Sequence, residues 1–316
     1  MGNKLLLSSS PHITAKTDTT KIMLDVLIAL VPVAVASMFI YGFHALVLIA
    51  DAVTAAVLAE YVSRKVMKRS NTLYDLSAVV TGVLLAFNLP PRINPLYAAF
   101  GAVAAIVVAK QMFGGIGNNF VNPALAGRII LLASFPAAMT SWVLPINGSK
   151  RSLDAVSCAT PLAMHANGES VPLRDLLLGT TGGCLGETCA AAILIGGVYL
   201  IIRRVISPVI PLVYVGTVAV LAFLLGDDPI FHIFSGGLLL GAFFMATDYT
   251  TSPVTKVGKY IYAVGCGVLT IFIRCYGNLP EGVSFSIVIM NILTPLIERA
   301  TVPKPFGEGG VRHGEA

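Results

Sequence analysis

Few residues in this sequence invite a chemical reading. The segment DAVSCATP, Asp154 to Pro161, sets Thr160 after a carboxylate and a serine in the longest polar interval of an otherwise apolar chain. A lone hydroxyl is a weak nucleophile, and no His or Lys adjoins it, so any chemical role for Thr160 requires modification by another enzyme. A phosphoester there would add negative charge and strong acceptor oxygens, and Lys150 and Arg151 stand just upstream to meet them. The small Ala155 and Ala159 would leave the hydroxyl open to a bulky donor. Ser, Thr and Asp before Pro are also ordinary loop residues, so the residues alone leave both readings standing.

Asp51 and Arg128 fall inside apolar runs. A charge at the bilayer centre costs at least about 3 kcal/mol, so each must face the bundle or water and find a partner; pairing with one another, as a structural ion pair or as part of a cation pathway, is the expectation. In GGIGNNFVNPALAGR, residues 114–128, Asn119 or Asn122 can cap a helix begun by Pro123, and the glycines let backbone amides face an anion or a flavin edge; a tight re-entry turn explains the same residues. Its Asn-Pro-Ala triplet has no second copy, which sets a water-pore reading aside. Glu187 suits a first helical turn, Thr188 a cap or a ligand contact, and the hydroxyls of Thr247 to Ser252 suit turn formation. The five cysteines, Cys158, Cys184, Cys189, Cys266 and Cys275, show no C-x-x-C spacing and no paired histidines nearby, so a private zinc site or disulfide framework is not expected, while a cluster shared with a neighbouring subunit stays open.

These residues must be held by helices in lipid. Of 316 residues 56% are hydrophobic and 12% charged, a balance that points to an all-α integral membrane protein. Apolar runs predict ten spans: 22–41, 43–62, 75–89, 95–110 and 123–141, then 185–203, 209–225, 231–246, 257–274 and 283–296. The predicted organisation is a cytoplasmic segment 1–21, a five-helix repeat 22–141, an extracytoplasmic loop 142–183, a second five-helix repeat 184–298 and a cytoplasmic tail 299–316. The first 20 residues lack the order of a cleaved signal, so the amino terminus is expected to remain. With that terminus inside, 15 of the 21 Lys and Arg residues fall on the cytoplasmic side, which puts both termini there and Thr160 outside. Five spans per half means that the halves enter the membrane in opposite senses, and Gly/Pro interruptions at matching places predict discontinuous helices meeting near the midplane. The net charge of +5 lies in short loops and orients the chain, so nucleic acid is not implied.

DAVSCATP also resembles the D-x-x-S/T-x-A-T signature at which a flavin transferase joins FMN, through its phosphate, to the threonine hydroxyl in the NqrB/RnfD family. Ser9-Ser10-Pro11-His12, Asp75-Leu76-Ser77-Ala78 with Thr81-Gly82, Leu89-Pro90-Pro91, Asn122-Pro123-Ala124, Gly186-Glu187-Thr188 and FFMATD before Ser252-Pro253 fit that family too, so the resemblance spans nearly the whole chain. Without the extended amino-terminal segment of NqrB proteins, the chain is nearer to the Rnf branch. Cys158 departs from the small residue usual in the signature and adds a thiol beside the flavin.

The resemblance implies an electron-transfer subunit of a prokaryotic inner-membrane ferredoxin:NAD oxidoreductase, coupled to Na⁺ or H⁺ translocation and not catalytic alone. Thr160 would carry covalent FMN, with Asp154, Ser157 and Ala159 as the attachment motif, and a riboflavin can accompany it. Implied partners are RnfA, RnfB, RnfC, RnfE and RnfG, the flavin transferase and membrane lipid. Nicotinamide and ferredoxin chemistry would belong to those partners, because this chain has neither a Rossmann fingerprint nor cluster-binding cysteines. The competing reading is an inverted-repeat solute channel or transporter without a redox role.

Overall fold

A computed structural model describes residues 18–70, 72–145, 159–277 and 282–303, and no β-strand element occurs among them. The chain runs through α1 (Thr19–Tyr41), α2 (Phe43–Val66), a 3-10 turn Leu73–Asp75 and α3 (Ser77–Phe87). Next come α4 (Pro95–Ala104), continued as a π-helical stretch Ala105–Gln111, then α5 (Pro123–Ser134) and α6 (Pro136–Met139). Two short helices follow, α7 (Pro161–Ala166) and α8 (Leu173–Leu178), before α9 (Ala190–Ile202) and α10 (Val209–Leu224). The remainder is α11 (Pro229–Phe234), α12 (Leu238–Leu240) with a π-helical stretch Gly241–Met245, α13 (Lys256–Tyr276) and α14 (Gly282–Thr301).

Four of these, α1, α2, α13 and α14, are long and apolar enough to cross a membrane. The other spanning segments expected from the sequence are shorter or broken. α3 stops after 11 residues, a rise of about 16 Å, roughly half a bilayer core. The run expected over 231–246 divides into α11, α12 and the π-helical stretch, and the run over 185–203 becomes helical only at Ala190.

Breaks inside an apolar bundle expose backbone groups that nothing in lipid would satisfy. Here two breaks satisfy each other: the Leu185 amide donates to the Leu89 carbonyl at 3.0 Å and the Gly186 amide to the Phe87 carbonyl at 2.9 Å. The end of α3 is therefore closed by the non-helical lead into α9. Residue 186 must be glycine, because a Cβ there would overlap the Cβ of Phe87. The start of α5 is closed by side chains instead: Asn122 accepts from the Ala124 and Leu125 amides, Pro123 sits at the first position, and the Asn122 side-chain amide donates to the Met245 carbonyl at 3.3 Å. Both ties run from one half of the chain to the other. α1 and α2 are joined by Gly42 alone, whose φ of +76° other residues seldom adopt.

One core cluster joins residues of both halves, including Leu30, Leu85, Leu125, Ile193, Tyr214, Leu240 and Ile287. A second, around Ile40, Leu48, Leu89, Ile93, Leu131 and Leu185, gathers at the end where α1 finishes. Large apolar side chains such as Phe39, Phe43, Phe223 and Leu224 are exposed, as the lipid-facing surface of a membrane protein requires.

Candidate functional site

The centre of the bundle is a buried ion pair. Arg128, on α5, places its guanidinium 3.0 Å from Glu187 Oε1, 2.7 Å from Asn88 Oδ1, 2.9 Å from Ser284 Oγ and 3.5 Å from Cys184 Sγ. The partners converge from separate segments: Asn88 from the end of α3, Cys184 and Glu187 from the lead into α9, Ser284 from α14. The expected pairing of Arg128 with Asp51 is not formed. Asp51 stays on α2 with Oδ2 buried and without a hydrogen-bond partner among the described residues. Glu187, expected in a first helical turn, instead precedes the helix and turns inward, since a buried guanidinium demands a counter-charge.

A cavity of about 330 Å³ opens between the start of α1, α3, the loop before α5 and the end of α9. Its walls are mostly apolar, from Val80, Leu84, Phe243 and Phe244, with Lys110, Asn119 and Thr247 as polar points. Asn119 is 9% exposed and its side-chain oxygen has no partner among the described residues. Lys110, which the positive-inside reading assigns to a loop, is 1% exposed; its ammonium lies 2.7 Å from Glu60 Oε2 and 2.5 Å from Ser77 Oγ. Arg64 adds a second cation beside Glu60 at 3.6 Å, and the Asp75 carboxylate accepts from the Ser77 hydroxyl, so two cations face two carboxylates at the cavity wall. The Thr247 to Ser252 hydroxyls do form a turn, with Asp248 accepting from the Thr250 and Thr251 hydroxyls at 3.1 and 3.3 Å.

Thr160 lies at the opposite end. Its surroundings include Gly183, whose carbonyl accepts from the Tyr41 hydroxyl at the finish of α1, whereas the large cavity meets Thr19 at the start of that helix. The 23 residues of α1 separate the two by about 35 Å. Thr160 is the N-cap of α7, its hydroxyl accepting from the Ala163 amide at 3.3 Å. At 6% exposure it is buried, where the small neighbours predict an open hydroxyl. Ala159 is exposed; Asp154 and Ser157 lie outside the described residues, as do Lys150, Arg151 and Cys158. Thr160 shares a small cavity with Thr188, whose hydroxyl is buried and without a partner among the described residues.

The family model described as NQR2, RnfD, RnfE matches residues 6–307. The chain belongs to this family. Among its relatives is the D subunit of the Na⁺-translocating ferredoxin:NAD⁺ oxidoreductase complex of Acetobacterium woodii, 51% identical over 309 residues, covering 96% of this chain and 95% of that one. The D subunit of the proton-translocating ferredoxin:NAD⁺ oxidoreductase complex of Clostridium ljungdahlii is 42% identical over 323 residues, covering 96% and 97%. The D subunit of an ion-translocating oxidoreductase complex from Alcanivorax borkumensis is 37% identical over 340 residues, covering 98% and 99%.

In this member of the NQR2, RnfD, RnfE family, sequence pattern alone singles out Thr160, Arg128 and the Asn122 cap, but not the Glu60–Lys110 pair. A signal for the pair does exist: Glu60 falls inside the apolar run 43–62 and Lys110 closes the run 95–110, where an unpaired charge is costly. No cysteine among the described residues is in a disulfide.

Proposed function

We propose that this chain is the D-type membrane subunit of a ferredoxin:NAD oxidoreductase complex that moves Na⁺ or H⁺, with FMN esterified to Thr160 and with RnfA, RnfB, RnfC, RnfE and RnfG as its partners. The observation that carries the reading is full-length similarity to proteins so described, together with the Asp154 to Thr160 signature. Ten spans in two inverted halves, both termini in the cytoplasm and Thr160 on the outer face of a prokaryotic inner membrane belong to the same reading. The clustering of Arg64, Arg69, Lys110 and Arg203 at the end away from Thr160 supports it, since basic residues concentrate on the cytoplasmic side.

Thr160 supplies the hydroxyl, but at 6% exposure beside a cavity of about 20 Å³ it must be uncovered before a phosphate is joined to it. Esterified at Oγ, Thr160 would hold the phosphate at the first turn of α7, and the buried Thr188 hydroxyl on the shared cavity offers a donor. A bound flavin accepts and passes on electrons. This chain contributes position: the N-cap fixes the attachment atom, and the covalent link prevents loss to the outer medium. A riboflavin without covalent attachment fits the larger cavity, which is within the usual size range for ligand sites of about 300–1,000 Å³. Apolar walls suit the ring faces, and Asn119 offers an unpartnered amide oxygen to a ring edge.

The test is ultraviolet fluorescence of the denatured protein band, with mass spectrometry of the loop peptide. Thr160→Ala should abolish both the glow and the FMN mass. A flavin-bearing band in that variant, or bare threonine in wild type made with the transferase, overturns the attachment. Asn119→Leu should leave that signal intact while lowering the riboflavin released on acid precipitation.

A further inference from the structure

His165 and His232 converge on one carboxylate. His165 Nε2 lies 2.6 Å from Asp227 Oδ1, and His232 Nε2 lies 2.8 Å from Asp227 Oδ2. The three come from separate elements, α7, the turn between α10 and α11, and α11 itself, and their ligand atoms all lie within 4.8 Å of one another. We propose that His165, Asp227 and His232 form a site for a divalent transition-metal ion of the zinc class, with water as the remaining ligand. The inference goes beyond the flavin reading and does not depend on it.

Two neutral imidazoles and a carboxylate are a donor set that zinc accepts, at bond lengths of about 2.0–2.2 Å, leaving a fourth tetrahedral position open. Such bonds set donor atoms roughly 3.3 Å apart, so the two present contacts must widen and the imidazoles close in, movements within reach of side-chain torsions. The backbone is fixed. Arg274 donates to the His232 and Ser235 carbonyls at 2.8 and 3.0 Å, and the Phe231 ring stacks on His165 with centroids 4.3 Å apart. The nearby Arg274 charge opposes a cation, which favours a metal held by directed bonds over Ca²⁺ or Mg²⁺. An entry route exists, because the His165 and Asp227 side chains are 33% and 30% exposed while His232 is buried behind them. The spacing 165, 227, 232 matches no local metal motif, which is why the sequence suggests no site. Bound metal would clasp α7, with Thr160 at its start, to the α10–α11 turn.

The purified complex, stripped with a chelator, would be titrated with Co²⁺ and read by visible absorption, with Zn²⁺ content measured separately after loading. One equivalent of tetrahedral Co²⁺ should bind per complex, be displaced by Zn²⁺, and be lost in the exposed-site variants His165→Asn and Asp227→Asn. Zinc should raise the unfolding temperature of wild type but not of His165→Asn. Absence of stoichiometric binding at micromolar free ion, meaning that the triad is hydrogen-bonded only, overturns the proposal. Equal binding by wild type and both variants overturns it too. Covalent FMN fluorescence, recorded in parallel, reports on Thr160 separately.

Discussion

The helix packings α2–α3–α4 and α10–α13–α14 bury different kinds of polarity. In the first, the interior holds full charges: Glu60 with Lys110 and Arg64, and Arg128 reaching across to Glu187. In the second, between α10, α13 and α14, it holds neutral groups: the Tyr214, Thr270 and Ser286 hydroxyls form a triangle with sides of 2.6, 2.8 and 3.1 Å, and the Tyr262 hydroxyl meets the Asn291 amide at 2.7 Å. Charges that remain ionised in a bundle need partners from distant segments, so the first half depends on the second for its central counter-ion. The hydroxyl cluster is satisfied within its own half. Similar patterns of helix interruption can therefore carry unlike chemistry, a charged cluster between α2, α3 and the π-helical stretch after α4 in one half and a neutral hydroxyl cluster between α10, α13 and α14 in the other.

Removing a charge from the first half's network should have the largest effect. Glu187→Gln leaves Arg128 without its anion and should lower stability by about 3–5 kcal/mol, read as thermal unfolding of the detergent-purified complex. A double replacement of Arg128 and Glu187 by Met should recover part of that loss; failure to recover would mean that the partners Asn88 and Ser284 matter more than the charge. Lys110→Met isolates Glu60 beside Arg64 and should cost somewhat less, because Arg64 remains at 3.6 Å. Its flavin content should also fall if the large cavity holds riboflavin. Tyr214→Phe, in the neutral half, should cost about 1 kcal/mol, because Thr270 and Ser286 still bond each other. A loss as large as that of Glu187→Gln would erase the distinction between the halves. Asp51→Asn should change stability least, since its buried Oδ2 has no partner among the described residues to abandon. If Asp51 lies on the cation pathway, however, ion-coupled turnover in proteoliposomes should drop while uncoupled electron transfer persists.

The unbroken helices are plain in the sequence. Uniform apolar runs bounded by Gly42, Pro208 or Thr255 predict α1, α2, α10 and α13 to within about four residues, since length and end signals are local properties. α9 begins five residues later than expected because Leu185 and Gly186 serve the end of α3, a demand set by a segment far away in the chain. The π-helical stretches at 105–111 and 241–245 leave no signature, being products of packing. For the site, depth in a span identifies Arg128 as needing a counter-charge. Depth says nothing of which way a side chain points around the helix, so it suggests Asp51 as the partner where the structure supplies Glu187.

The bonds from Leu185 and Gly186 to Leu89 and Phe87 bear on how the protein is made. During synthesis α3 enters the membrane long before its carbonyl ends meet the amides that close them. Until residue 186 leaves the ribosome, that half-length helix must be sheltered by the insertion machinery or by water. A chain interrupted between the two halves would present an unfinished surface to cellular quality control.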